Sequence, residues 1–148
     1  MPLLIVGCIC SSKVLSQCNL PALEKPVPIM LRVKLVPNGF IELPAGAKVA
    51  DTGGKIDYWL RTITFDDSYL KINVSAGLVE SVFDDFIGSF TCTETAQIGK
   101  NYSRFAVAKK SGKEYILAKV FWTQFIAEVT SNKEKALFGY IVRSYTTK

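Results

Sequence analysis

The chain has 148 residues, 49% of them apolar and 21% charged, with a net charge of +5 and no histidine. That length and balance exclude a disordered tract and suit one domain with a sizeable core. Without histidine the commonest general base, the Ser-His and Cys-His pairs, and most zinc and haem ligand sets are missing.

The chain opens on MPLLIVGCICSSKVLS, apolar from Pro2 to Cys10 and too short to span a bilayer. Val14 and Ser16 have the spacing that a signal peptidase favours, so residues 1–16 are expected to be a secretory leader. The competing reading is an ordinary first strand. Of the four cysteines, Cys8 and Cys10 would leave with the leader. Cys18 and Cys92 would then be an even pair in an oxidising compartment, and are expected to form a disulfide. Residues 17–29 carry Pro21, Pro26 and Pro28 and read as an extended lead-in to a single all-β domain over residues 17–148.

From Met30 the pattern becomes strand-like. MLRVKLV alternates, Pro37-Asn38-Gly39 supplies a tight turn, and FIEL follows. Asp51-Thr52-Gly53-Gly54 is expected to be a loop before the strand KIDYWLRTITF. In YLKINVSA, Leu70, Ile72 and Val74 share one face and Lys71, Asn73 and Ser75 the other. Leu78, Val79, Val82 and Phe83 have helical spacing, which allows a short helix between Gly77 and Gly99. Phe105 and Val107, Tyr115 to Val120, Phe125 to Val129 and Leu137 to Val142 are read as further strands, with turns at SGK and TSNKE. Asp66-Asp67 and Asp84-Asp85 fall at expected turns, and adjacent carboxylates on a strand point to opposite faces. The basic stretch Lys100, Arg104, Lys109, Lys110, Lys113 is read as a solvated hairpin. Two sequons, Asn73-Val-Ser and Asn101-Tyr-Ser, are candidate glycosylation sites and fit secretion.

Eight or nine short strands in a row predict an all-β fold, an antiparallel up-and-down meander closed into a barrel, with a two-sheet β-sandwich as the alternative. The run Leu31–Leu43 around Asn38-Gly39, the later runs Glu114–Lys119, Phe125–Val129 and Tyr140–Ser144, and the position of Arg143 resemble lipocalins, a calycin-like barrel family. The first-strand Gly-x-Trp of that family is absent before Met30. The resemblance implies a lipocalin-like barrel and a hydrophobic ligand in its lumen.

Function then depends on the interior. Alternation nominates Tyr58, Leu60, Leu70, Ile72, Val74, Phe105, Val107, Tyr115, Leu117, Phe125 and Ala127 as the lining of a pocket for a small hydrophobic molecule, a lipid or pigment. The same side chains could fill a solid core. Two functions therefore stay open: a secreted carrier without catalysis, and a secreted module with a solid core whose loops engage a protein partner. No catalytic residue, metal site or cofactor is nominated, and neither nucleic-acid binding nor stable membrane insertion is expected.

Overall fold

A computed structural model of the chain describes residues 18, 20, 29–98 and 101–147. Its strands are β1 (Met30–Val36), β2 (Gly39–Pro44), β3 (Lys48–Lys55), β4 (Tyr58–Phe65), β5 (Ser68–Gly77), β6 (Phe90–Ile98), β7 (Asn101–Lys110), β8 (Lys113–Val120), β9 (Thr123–Val129) and β10 (Thr146–Thr147). Among the described residues a 3-10 helix spans Val82–Phe86, and an α-helix, α1, spans Asn132–Arg143. The predicted leader lies outside the described residues, as does most of the proline-rich lead-in.

Turn chemistry accounts for the hairpins. Pro37-Asn38 joins β1 to β2, with Asn38 at φ 62°, as a type II turn requires. Ser111-Gly112 joins β7 to β8 with both residues at positive φ, the type I′ arrangement that matches strand twist. One expected boundary moves. Asp51–Gly54 lies within β3, where a bulge between Asp51 and Gly53 absorbs the glycine-rich stretch. The break falls instead at Ile56-Asp57.

All paired strands are antiparallel, but the expected meander is interrupted. The strand order is β3-β4-β5-β9-β8-β7-β6 in one sheet and β1-β2-β10 in a second. After β5 the chain crosses over through the 3-10 helix to the far edge and returns, so β5 pairs with β9. Among the described residues no pairing closes the sheet into a barrel, and the three-plus-seven arrangement fits the sandwich alternative. The small sheet and α1 lie on one face of the large one.

Leu137–Val142, expected as a strand, belongs to α1. Ser131 caps it by accepting from Glu134 N, and Glu134 Oε1 accepts from Thr130 N and Oγ1. This is capping-box chemistry one residue displaced from its usual return bond. Phe138, Ile141, Val142 and Tyr145 then recur at helical spacing and enter the main core. That core also takes Leu35, Ile41 and Leu43 from the small sheet, and Ile63, Ile72, Phe105, Ile116 and Phe125 from the large one.

A second cluster covers the opposite face of the large sheet. Phe83 and Phe86 of the 3-10 helix sit over Ala106, Ala108 and Leu117, where two alanines leave room for the rings. Gln124, buried on β9, holds the crossover down: its Oε1 accepts from Val82 N at 2.7 Å and its Nε2 donates to Glu80 O at 3.0 Å. Cations of the basic hairpin reinforce it, Arg104 lying 4.5 Å over the Phe83 ring and Lys110 5.2 Å over Phe86. Cys18 and Cys92 are bonded with Cα atoms 5.0 Å apart, joining the segment before β1 to β6.

Candidate functional site

The residues nominated as a pocket lining divide between two faces. Leu70, Ile72, Val74, Phe105, Val107, Phe125 and Ala127 point into the main core, as alternation predicts. Tyr115 and Leu117 point the other way, because Phe105 pairs with Ala118 and Val107 with Ile116. Leu117 is buried in the second cluster, with Tyr115 packed at its margin. Tyr58 and Leu60 are also on that outer face; on β4 it is Trp59, Ile63 and Phe65 that meet the main core. The inward set is buried among its neighbours. Phe105, Phe125, Phe138, Ile63, Ile72, Ile116 and Ile141 are fully buried together, and Tyr145 packs edge-on to Phe125 at 6.0 Å.

Two surface features stand out instead. The first is at one end of the large sheet. The β3–β4 turn, the end of β5, the β8–β9 turn and the start of β7 all emerge there. They present Ile56 (97% exposed), Leu78 (68%), Tyr102 (70%), Phe121 (58%) and Trp122 (55%). Three of these loops are tied together: Gly77 N donates to Trp122 O at 3.1 Å and Leu78 N to Asp57 O at 2.9 Å. Gly77, at φ 97°, lies so close to Asp57 O that no side chain fits. Phe121 and Trp122 form the two-residue turn between Val120 and Thr123, their rings edge-to-face at 5.4 Å. Phe121 has φ 54°, at the first central position, where a type II′ turn ordinarily places glycine. Sequence reasoning missed this patch. Its signal was the aromatic pair in VFWT, where a polar turn would be expected.

The second feature is a half-open cleft of about 390 Å³ on the outer face. The β5–β9 ladder runs from Ala76↔Thr123 to Asn73↔Ile126. Beyond it the cleft is lined by Tyr69, Lys71 and Asn73 of β5, Ile126 and Glu128 of β9, Tyr115 of β8, and Thr130 and Glu134 at the start of α1. Glu128 pairs with Lys113 at 3.5 Å. Asn73 is exposed as expected; the side chain of Asn101 lies outside the described ones.

The molecule is thus an antiparallel all-β protein of two unequal sheets, with a buried apolar core, an apolar loop end and an outer cleft. No known family's sequence model matches the chain, and no match is found among curated proteins or solved structures. Among the described residues no helix is long and apolar enough to cross a membrane, and no three His, Cys, Asp or Glu side chains are grouped to hold a metal ion.

Proposed function

We propose that this chain is an extracellular protein–protein interaction module with a filled core, binding its partner through the apolar loop end of the large sheet. The observation that carries the reading is the Phe121-Trp122 tip, two exposed aromatics on a turn whose backbone suits glycine. Contiguous exposed apolar surface marks contact sites, and aromatic anchors supply most of the energy of an interface. Lys55 and Asp57, both exposed, flank Ile56, so the charges next to it in the chain balance. The Cys18–Cys92 bond supports an oxidising, extracellular setting. The hydrophobic-carrier reading has less support, because side chains of α1 and both sheets occupy the interior it needs.

Photo-crosslinking from position 122, with the full chain in extracellular extracts, tests the reading. A discrete protein adduct should form and should vanish when Ile56→Ser and Leu78→Ser are added. An adduct insensitive to those changes would count against the patch. Patch-dependent flotation with phosphatidylcholine–phosphatidylserine vesicles would replace a protein partner with a membrane surface.

A further inference from the structure

We infer that Asn73 carries an N-linked glycan whose first sugar seats in the cleft between β5 and β9. The inference rests on the extracellular reading and on nothing about the loop end. Asn73-Val74-Ser75 is a sequon. Val74 is buried while Asn73 points outward in the middle of β5. Directly across on β4, Thr62 Oγ1 donates to Asn73 Oδ1 at 3.2 Å. Holding the oxygen toward β4 turns Nδ2 the other way, toward β9, where the ladder stops and the cleft opens.

Glycan transfer substitutes Nδ2 and leaves Oδ1 an acceptor, so the Thr62 bond survives modification. The donor is a lipid-linked oligosaccharide diphosphate. The bond from Nδ2 to the sugar C1 forms, the C1–O bond to the diphosphate breaks, and one amide proton leaves. The cleft suits the product. Its volume lies at the low end of small-molecule sites, which run from about 300 to 1,000 Å³, and it is open enough for further sugars to leave toward solvent. Tyr69, fully exposed four residues before Asn73 on the same face, and Tyr115 beyond β9 offer ring faces for the C–H side of a pyranose. Lys71 and Glu128 offer a donor and an acceptor for its hydroxyls.

The test expresses the full chain in cells with a eukaryotic secretory pathway and maps glycopeptides by mass spectrometry. Asn73 should be occupied, and Ser75→Ala should abolish occupancy there without touching Asn101. Trimming to a single N-acetylglucosamine then isolates the seat. The trimmed protein should melt about 2–4 °C above Ser75→Ala, and Tyr69→Ala should shrink that gap in a double-mutant cycle. Secreted protein bare at Asn73 overturns the inference and leaves the extracellular reading standing. A chain found in neither medium nor microsomes overturns both. An occupied Asn73 whose gap ignores Tyr69→Ala overturns the seat.

Discussion

Phe121 holds a backbone conformation that costs an L-residue with a bulky side chain about 1–2 kcal/mol. Asn38 and Ser111 share that region, but short polar side chains in turns tolerate it far better. Among the described residues little packing offsets this cost: Phe121 is 58% exposed, with its ring edge-on to Trp122. Strain kept at an exposed position points to use of the side chain rather than to stability. Phe121→Gly is therefore expected to raise the unfolding free energy by about 1 kcal/mol, read as a higher urea midpoint at unchanged slope. A lower midpoint would show that the ring stabilises the turn.

At the scale of elements, Glu42 of β2 hydrogen-bonds the small sheet to α1 and its C-cap, beside the apolar packing between them. Tyr140 Oη donates to Glu42 Oε1 at 2.8 Å, and Glu42 N donates to Ser144 Oγ at 2.8 Å. The hydrogen bond to Glu42 raises the Tyr140 phenol above its ordinary 10.0, with burial and the Glu42 charge acting in the same direction. A raised native value means the folded state favours the neutral phenol. That stabilisation is complete below pH 10 and is lost as the pH climbs through the raised value. Tyr140→Phe should cost about 1 kcal/mol at neutral pH and should flatten the decline in melting temperature above pH 10. An alkaline decline as steep as that of the unmodified chain would assign it to other groups. The crossover is held differently, by Gln124, which satisfies a backbone donor and a backbone acceptor of the segment that the chain must lay across the sheet.

For the whole molecule, the Cys18–Cys92 bond closes a loop of 74 residues that contains β1 through β5 and the crossover. In the loop-closure account a bridge over that span limits the unfolded chain by about 4 kcal/mol. Cys92 also sits in the main core, with Cys18 packed against it. The double substitution Cys18→Ala, Cys92→Ala should lower the unfolding free energy by about 2–5 kcal/mol, measured by urea denaturation without reductant. A loss well under 1 kcal/mol would show that the lead-in contributes little to the native state. The two-layer arrangement also decides where binding can occur, since one face of the large sheet is covered by α1 and the small sheet. Part of the other lies under the 3-10 helix, which leaves the loop end and the outer cleft exposed.

Local chemistry carried the strand class, the Pro37-Asn38 and Ser111-Gly112 turns, and the faces of β5. Where one face is buried and the other wet, as in Leu70–Ser75, side-chain alternation is written into the residues. The pairing of Cys18 with Cys92 was legible by counting. On β8 the code fails, because Tyr115 to Ala118 meet packed side chains on both faces and no polar residue marks a wet side. The parity of Tyr115 and Leu117 was therefore set by register with β7 and β9. The helix was signalled by Ser131 and Glu134, yet the apolar run Leu137–Val142 reads equally as a buried strand until its packing is known. The crossover, the open sheet and the gathering of Ile56, Leu78, Tyr102, Phe121 and Trp122 at one end belong to tertiary structure alone. Each depends on which distant strands pair, and β5 joining β9 rather than β6 is a choice between non-local contacts that no short window of sequence contains.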